Sequence, residues 1–224
     1  MRDHAAGDRG RLRIATECYT CYEWLPPVLQ RFHRSHPGID VGIVAEATSD
    51  PVAALERGDI DLAIISRGHG SPAIETLDLF GDELLLVVRP DHRLATRRFV
   101  RPRDLESERL LLYTPPSENF FYRDFFSDTR RPSRVDVVKL TEAILSMVRA
   151  GLGVTIAAAW AIAPHLSTGA LVGVRIGARG YRRDWKAAVR RSPNARPARI
   201  EDFVRLVAAT VTPARFAKRK PIRP

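Results

Sequence analysis

Apolar and polar positions along the chain alternate between two periods, two residues and about 3.6 residues. Arg11–Thr16 (RLRIAT) alternates and predicts a strand. Leu25, Val28, Leu29 and Phe32 then fall on one face of a helix. Its start has two readings. Thr20 and Glu23 form the T-x-x-E pattern of a capping box, whereas Pro26 and Pro27 lack an N–H and suit only a first turn beginning near Trp24. Asp40–Ala45 predicts the next strand. Asp50-Pro51 gives an N-cap and a first-turn proline for a helix running to Arg57, and Gly58 ends it. Asp61–Ile65 and Glu83–Arg89 are nearly unbroken apolar runs, the pattern of buried strands.

Beyond Asp91 the same alternation repeats. It predicts a short helix at Asp104-Leu105, a strand at Leu110–Tyr113 and a helix carrying Phe120, Phe121 and Phe125, with Ser117 as its cap. A strand at Val135–Leu140 leads to a helix capped by Thr141, with Ile144, Met147 and Val148 inward and Gly151 at its end. Val154–Ala157 is a strand and Trp160–Leu166 a short helix. Strands at Leu171–Ile176 and Trp185–Val189 precede a last helix marked by Ile200, Phe203, Val204 and Val207. This order predicts an α/β fold with mostly parallel sheets. It divides into two Rossmann-like lobes with a cleft between them. Lobe I is 11–88 plus 166–212, and lobe II is 89–165. Residues 1–10 read as a disordered lead-in and 213–224 as a basic tail. Ligands of such folds bind at the carboxyl ends of strands, here the cleft.

Composition narrows the classes. With 224 residues and 45% hydrophobic positions, a sizeable core is available. No apolar run approaches the roughly 20 residues that cross a bilayer, and Met1–Gly10 lacks a signal core, so a cytoplasmic protein is expected. The only cysteines, Cys18 and Cys21, exclude a disulfide scaffold and a four-thiolate zinc site. The net charge is +10, from scattered Arg with local runs at Arg97–Arg103, Arg130–Arg134, Arg179–Arg191 and Arg215–Arg223. Without interleaved aromatics or a recognition-helix pattern, these read as solvated faces and a loose tail.

The best candidate chemistry lies at Glu17-Cys18-Tyr19-Thr20, between a strand and the helix that follows it. Backbone N–H groups and the Thr20 hydroxyl suit a carboxylate there, and Glu17 suits an ammonium. The alternative is that Thr20 merely caps the helix with Glu23. Cys18-x-x-Cys21 places two thiols at the same helix start, as a redox pair, as ligand contacts or as small buried side chains. Thr48-Ser49, Ser66-Arg67 and Tyr113-Thr114 each follow a strand and offer polar contacts, Arg67 with a guanidinium fork; ordinary turn chemistry is the alternative for each. Thr141 opens a second-lobe helix facing the expected cleft. Gly151-Leu152-Gly153 follows a helix and precedes a strand, the reverse of a dinucleotide fingerprint. No nucleophile–base set can be assembled, so neither an enzyme nor a cofactor is expected.

The order Leu25-Pro26…Phe32…Pro37, then Leu55…Gly58-Asp59-Ile60-Asp61-Leu62-Ala63-Ile64, resembles the first lobe of LysR-type effector domains. Glu83-Leu84…Val87-Val88…Asp91-His92-Arg93-Leu94-Ala95 resembles the crossing into their second lobe, and Ile144…Met147-Val148…Gly151-Leu152-Gly153-Val154 that lobe's helix and strand. The likeness covers roughly 11–210. Arg13–Leu25, Asp50-Pro51 and Leu111-Leu112-Tyr113 are similar, more narrowly, to the family's methionine-biosynthesis regulators, which respond to homocysteine. Where the family carries Leu-Pro after the Val154 strand, this chain has Ala158-Ala159-Trp160, which places Trp160 on the expected pocket wall.

The resemblance implies a fold like type II periplasmic binding proteins. It also implies a homocysteine-like effector in the cleft, a homodimer or homotetramer, and DNA contact only through a winged helix-turn-helix for which the first ten residues have no room. Two competitors stand beside it: a solute-binding protein of the periplasmic type, against which the lack of an export signal counts, and a thiol oxidoreductase. The latter motifs carry Pro or Gly where Tyr19-Thr20 stands.

Overall fold

The computed structural model describes residues 10–17, 24–66, 71–126, 130–192 and 196–211. β1 (Gly10–Thr16) follows the expected alternation and buries Leu12, Ile14 and Ala15 completely. α1 (Leu25–Ser35) starts after Trp24, with Pro26 and Pro27 in the first turn, where no N–H is needed. Thr20 and Glu23, the alternative cap, lie outside the described residues. β2 (Ile39–Ile43) ends sooner than expected because the chain tightens into a 3-10 turn at Ala45–Thr48. α2 (Pro51–Arg57) is capped as its sequence predicts: the Ala53 N–H donates to the Asp50 carboxylate at 3.1 Å, and Gly58 closes the helix at φ 81°. All four residues of β3 (Leu62–Ile65) are buried.

β4 (Ile74–Val88) is 15 residues long, twice the run expected. Its first half interleaves Ile74, Leu77, Leu79 and Phe80 with Glu75, Thr76 and Asp78 and is mostly half-buried, so it lacks the unbroken apolar run on which the expectation rested. The chain then forms β5 (Phe99–Val100), a 3-10 turn at Pro102–Leu105, β6 (Arg109–Leu112) and α3 (Phe120–Phe125). Asn119, not Ser117, caps α3; its side chain accepts from the Tyr122 N–H at 3.0 Å, because the helix begins later than expected. β7 (Arg134–Val137) precedes α4 (Thr141–Arg149). Thr141 is the first helical residue of α4 and makes no cap; Leu140 holds that position. β8 (Val154–Ala158), α5 (Ala163–Ser167), β9 (Val172–Ile176), β10 (Tyr181–Arg190) and α6 (Ala198–Thr210) complete the order.

The chain divides into two compact units, with boundaries between Gly81 and Asp82 in β4 and between Arg183 and Asp184 in β10. Both crossings therefore fall inside strands. Residues 82–88 and 166–183 stand with the second unit rather than the first, because β4 from Leu84 onward is paired with β8 and β9. In the first unit the order is β2-β1-β3-β10. β1 is parallel to β2 and β3, while β10 runs against β3. In the second unit β6 is parallel to β7 and β8, and β5 to β9, but β4 is antiparallel to β8 and β9. The expectation of mostly parallel sheets thus fails at the crossing strands: β4 runs against β8 and β9, and β10 against β3.

The register of β1 on β3 (Ile14 opposite Leu62, Thr16 opposite Ile64) is fixed at its start by Arg13 and Asp61. The Arg13 N–H donates to Asp61 Oδ2 at 2.8 Å, and its guanidinium grips both carboxylate oxygens at 3.2 and 2.8 Å. Burial opposes ionisation of Asp61, but these donors outweigh it and hold its carboxyl below the usual carboxylate range. On the outer face, α1 is clamped to α6 by Phe32 edge-on to Phe203 and by His36 Nε2 against Asp202 at 3.0 Å.

At the crossings, Asp82 accepts from Arg183 and from the Trp160 indole N–H, the latter at 2.9 Å. The two charged side chains are only 3% and 10% exposed. Removing one partner of such a pair leaves an uncompensated buried charge.

Two expectations follow. Asp61→Asn lowers stability at neutral pH by about 1–3 kcal/mol in urea unfolding. Because the folded Asp61 carboxyl is held low, its contribution is complete above the usual carboxylate range and disappears as pH falls through the lowered folded value. The variant therefore shows a flatter acid limb; an unchanged limb contradicts the assignment. Asp82→Ala costs about 3–5 kcal/mol, and a loss below 1 kcal/mol excludes a buried, interacting pair.

Candidate functional site

β1 delivers Glu17 to the carboxyl end of the first unit's sheet, beside the end of β3. The Glu17 N–H donates to the Ile64 carbonyl at 2.9 Å, extending the strand pairing by one residue. The Glu17 side chain then turns onto β3: its Oε2 accepts from the Ser66 N–H at 2.6 Å and from the Ser66 hydroxyl at 3.2 Å. Ser66 is 8% exposed. Both contacts fall on one carboxylate oxygen, and Oε1 has no hydrogen-bond partner among the described residues. Two of the residues singled out from sequence, Glu17 and Ser66, are thus in direct contact.

A residue not singled out as a ligand contact stands at the start of α1. Trp24 is 4% exposed, and among the described residues its indole Nε1 is buried without a hydrogen-bond partner. An unsatisfied buried donor costs free energy comparable to a lost hydrogen bond, so it marks a place where an acceptor fits. Its ring packs edge-on against Phe80 at 5.5 Å, and Phe80 stacks on Trp185 at 5.9 Å. The available signal was a tryptophan directly ahead of a proline-led helix, which read as a boundary and nothing more.

The other residues fall in several places. Thr48 is buried at the end of the 3-10 turn that follows β2, and Ser49 is exposed beside the Asp50 cap. In the second unit, Tyr113 packs on the cluster formed by Leu111, Ile144, Leu145 and Val148. Thr114 Oγ1 accepts from Asn119 Nδ2 at 3.3 Å, which ties it to the α3 cap. Thr141 is half-buried at the first turn of α4. Trp160 does not present a free polar edge: it is 2% exposed and its single donor is given to Asp82. That bond anchors Trp160 beside the strand crossings. Cys18, Tyr19, Thr20, Cys21 and Arg67 lie outside the described residues.

Among the described residues no cluster of three or more His, Cys, Asp or Glu side chains is arranged to hold a metal. No helix among them is long and apolar enough to cross a membrane.

Residues 5–212 match the LysR substrate binding domain family. The chain is similar to the HTH-type transcriptional regulator MetR of Escherichia coli K12, 32% identical over 196 residues, which cover 87% of this chain and 61% of the relative. It is also similar to MetR of Haemophilus influenzae, 28% identical over 203 residues, covering 90% of this chain and 65% of that one. The chain thus spans about three-fifths of the length of the curated relatives it matches. Among solved structures, the regulatory domain of MetR from Neisseria meningitidis superposes with a TM-score of 0.81 at 28% identity, covering 90% of this chain and 93% of that one. A variant of the same neisserial domain has two cysteines, three positions apart, replaced by serine. The LysR regulatory domains share the two-unit fold of type II periplasmic binding proteins, and this chain belongs to the LysR substrate-binding domain family.

Proposed function

We propose that this chain is the effector-sensing domain of a MetR-like LysR-type transcriptional regulator, and that its co-inducer is homocysteine or a closely related amino acid held at the carboxyl ends of β1 and β3. The observation that carries the reading is the Glu17 carboxylate. Ser66 holds one of its oxygens by a backbone N–H and a hydroxyl, and the other is left to meet an ammonium group. An amino acid also brings a carboxylate, for which the buried Trp24 indole N–H is a donor without a competing partner among the described residues. Thr20, Thr48, Ser49 and Arg67 are further polar contacts in this reading, each chosen because it follows a strand in the sequence.

The Cys18-x-x-Cys21 spacing equals that of the cysteine pair replaced in the neisserial MetR variant, and in this reading Cys18 is a contact of a thiol-bearing effector. The effector acts by population shift, stabilising one conformation of the domain. In a cytoplasmic homodimer or homotetramer, that shift re-spaces the DNA-reading parts from which the relatives take the name HTH-type. The chain carries out no catalytic step in this reading.

Thermal shift and calorimetry with homocysteine, methionine, cysteine and citrate test the proposal. Homocysteine at about 100 times its dissociation constant adds about 2.7 kcal/mol of stability. Glu17→Gln weakens homocysteine by about 10- to 100-fold, the range of one charge-assisted hydrogen bond. A response to citrate with none to homocysteine contradicts the amino-acid reading, and undiminished binding by Glu17→Gln contradicts the site.

A further inference from the structure

The exposed arginine run at Arg97–Arg103 lines concave surface. Two concavities of the second unit, about 230 and 390 Å³, meet along Arg97 and Arg98. β5 sets Phe99 opposite Arg175 of β9, and Gly173 and Val174 of β9 line the larger concavity. A Cβ at Gly173 would come within 2.8 Å of Leu85 Cδ1, so a larger residue there would make the Leu85 side chain shift. Arg103 joins the wall from the 3-10 turn. The two acids in these walls are already engaged. The Asp104 carboxylate accepts from the Arg101 N–H at 2.7 Å, and Glu83 faces Arg175 at 3.4 Å. Arg97, Arg98 and Arg103 are exposed, and none of the three has a carboxylate partner among the described residues.

We propose that this concave arginine face binds the phosphodiester backbone of double-stranded nucleic acid, by charge and without reading sequence. Guanidinium forks match phosphate oxygens, and unpaired cations gathered on one wall raise the local potential. The openness of the walls selects among anions. A small anion on exposed arginines stays hydrated and gains little. A polyanion gains with every phosphate contacted, through released counterions. The one aromatic ring at the site, Phe99, has the Arg101 guanidinium 5.2 Å from its centre, so unpaired bases find no stacking platform; this favours a duplex over a single strand. The net charge of +10 draws a duplex to the domain. The face shares no residue with Glu17, Ser66 or Trp24, so its test stands apart from that of the effector.

Fluorescence anisotropy with a mixed-sequence duplex, titrated over a range of salt, tests this on three proteins. They are the wild type, the triple variant R97Q/R98Q/R103Q, and a charge-matched control, R34Q/R123Q/R149Q, altered at other exposed arginines. The wild type binds at low salt. The triple variant binds at least 10-fold more weakly, and its log K against log salt is shallower by about 2–3, since each lost phosphate contact removes about 0.9 from the slope. The control keeps most of the wild-type slope. In the wild type, bound duplex also protects Arg97, Arg98 and Arg103, and not the control arginines, from phenylglyoxal, a readout that needs no variant to fold. An equal loss in the control, no wild-type binding at low salt, or saturable binding of inorganic triphosphate at these arginines with no duplex protection overturns the proposal.

Discussion

The carboxyl ends of β1 and β3 are tied together by one carboxylate. Glu17 leaves β1, pairs through its backbone with Ile64, and reaches across to the Ser66 N–H at 2.6 Å. That contact exists only because β1 and β3 run parallel in one register, which Arg13 and Asp61 fix at the other end of the pair. A slip of one residue turns every side chain of a strand to its other face. Here it would bury Arg13 and expose Ile14, and it would carry Glu17 away from Ser66. The site is thus a consequence of strand register, secured by two charge-assisted contacts and by the fully buried side chains between them.

The same economy appears where the chain changes units. Two strands carry it across, and a buried aspartate–arginine pair with an indole donor stands at the crossing points. Desolvation makes such a pair costly and its geometry exacting. Its presence holds Asp82 of β4 and Arg183 of β10 to one another while Gly81 and Asp184, the next residues along each strand, belong to the other unit. Trp160 joins this set through its indole N–H.

Much of the fold was legible from periodicity and punctuation. Asp50-Pro51 and Gly58 bracket α2 as their backbone chemistry dictates, and the apolar runs at β3 and at the second half of β4 read directly as buried strands. What was missed lacked a local signal. The interrupted first half of β4, the two-residue β5 and the antiparallel crossings depend on partners far away in sequence. The site divides along the same line. Glu17 and Ser66 were visible because each follows a strand, and Trp24 was not, because an unsatisfied buried N–H is a property of packing. The arginine run at Arg97–Arg103 was visible as charge, whereas its place along two concavities depends on residues far away in sequence such as Gly173 and Arg175.

The central claim is that the Glu17–Ser66 contact forms the floor of the effector site. The most direct measurement is an amide NMR titration of the isotopically labelled chain with homocysteine. The account predicts that the Ser66 amide, displaced downfield in the free domain by its short bond to Glu17, shifts saturably together with the Glu17 amide and the Trp24 indole N–H. Saturable binding that leaves those three resonances unmoved contradicts it.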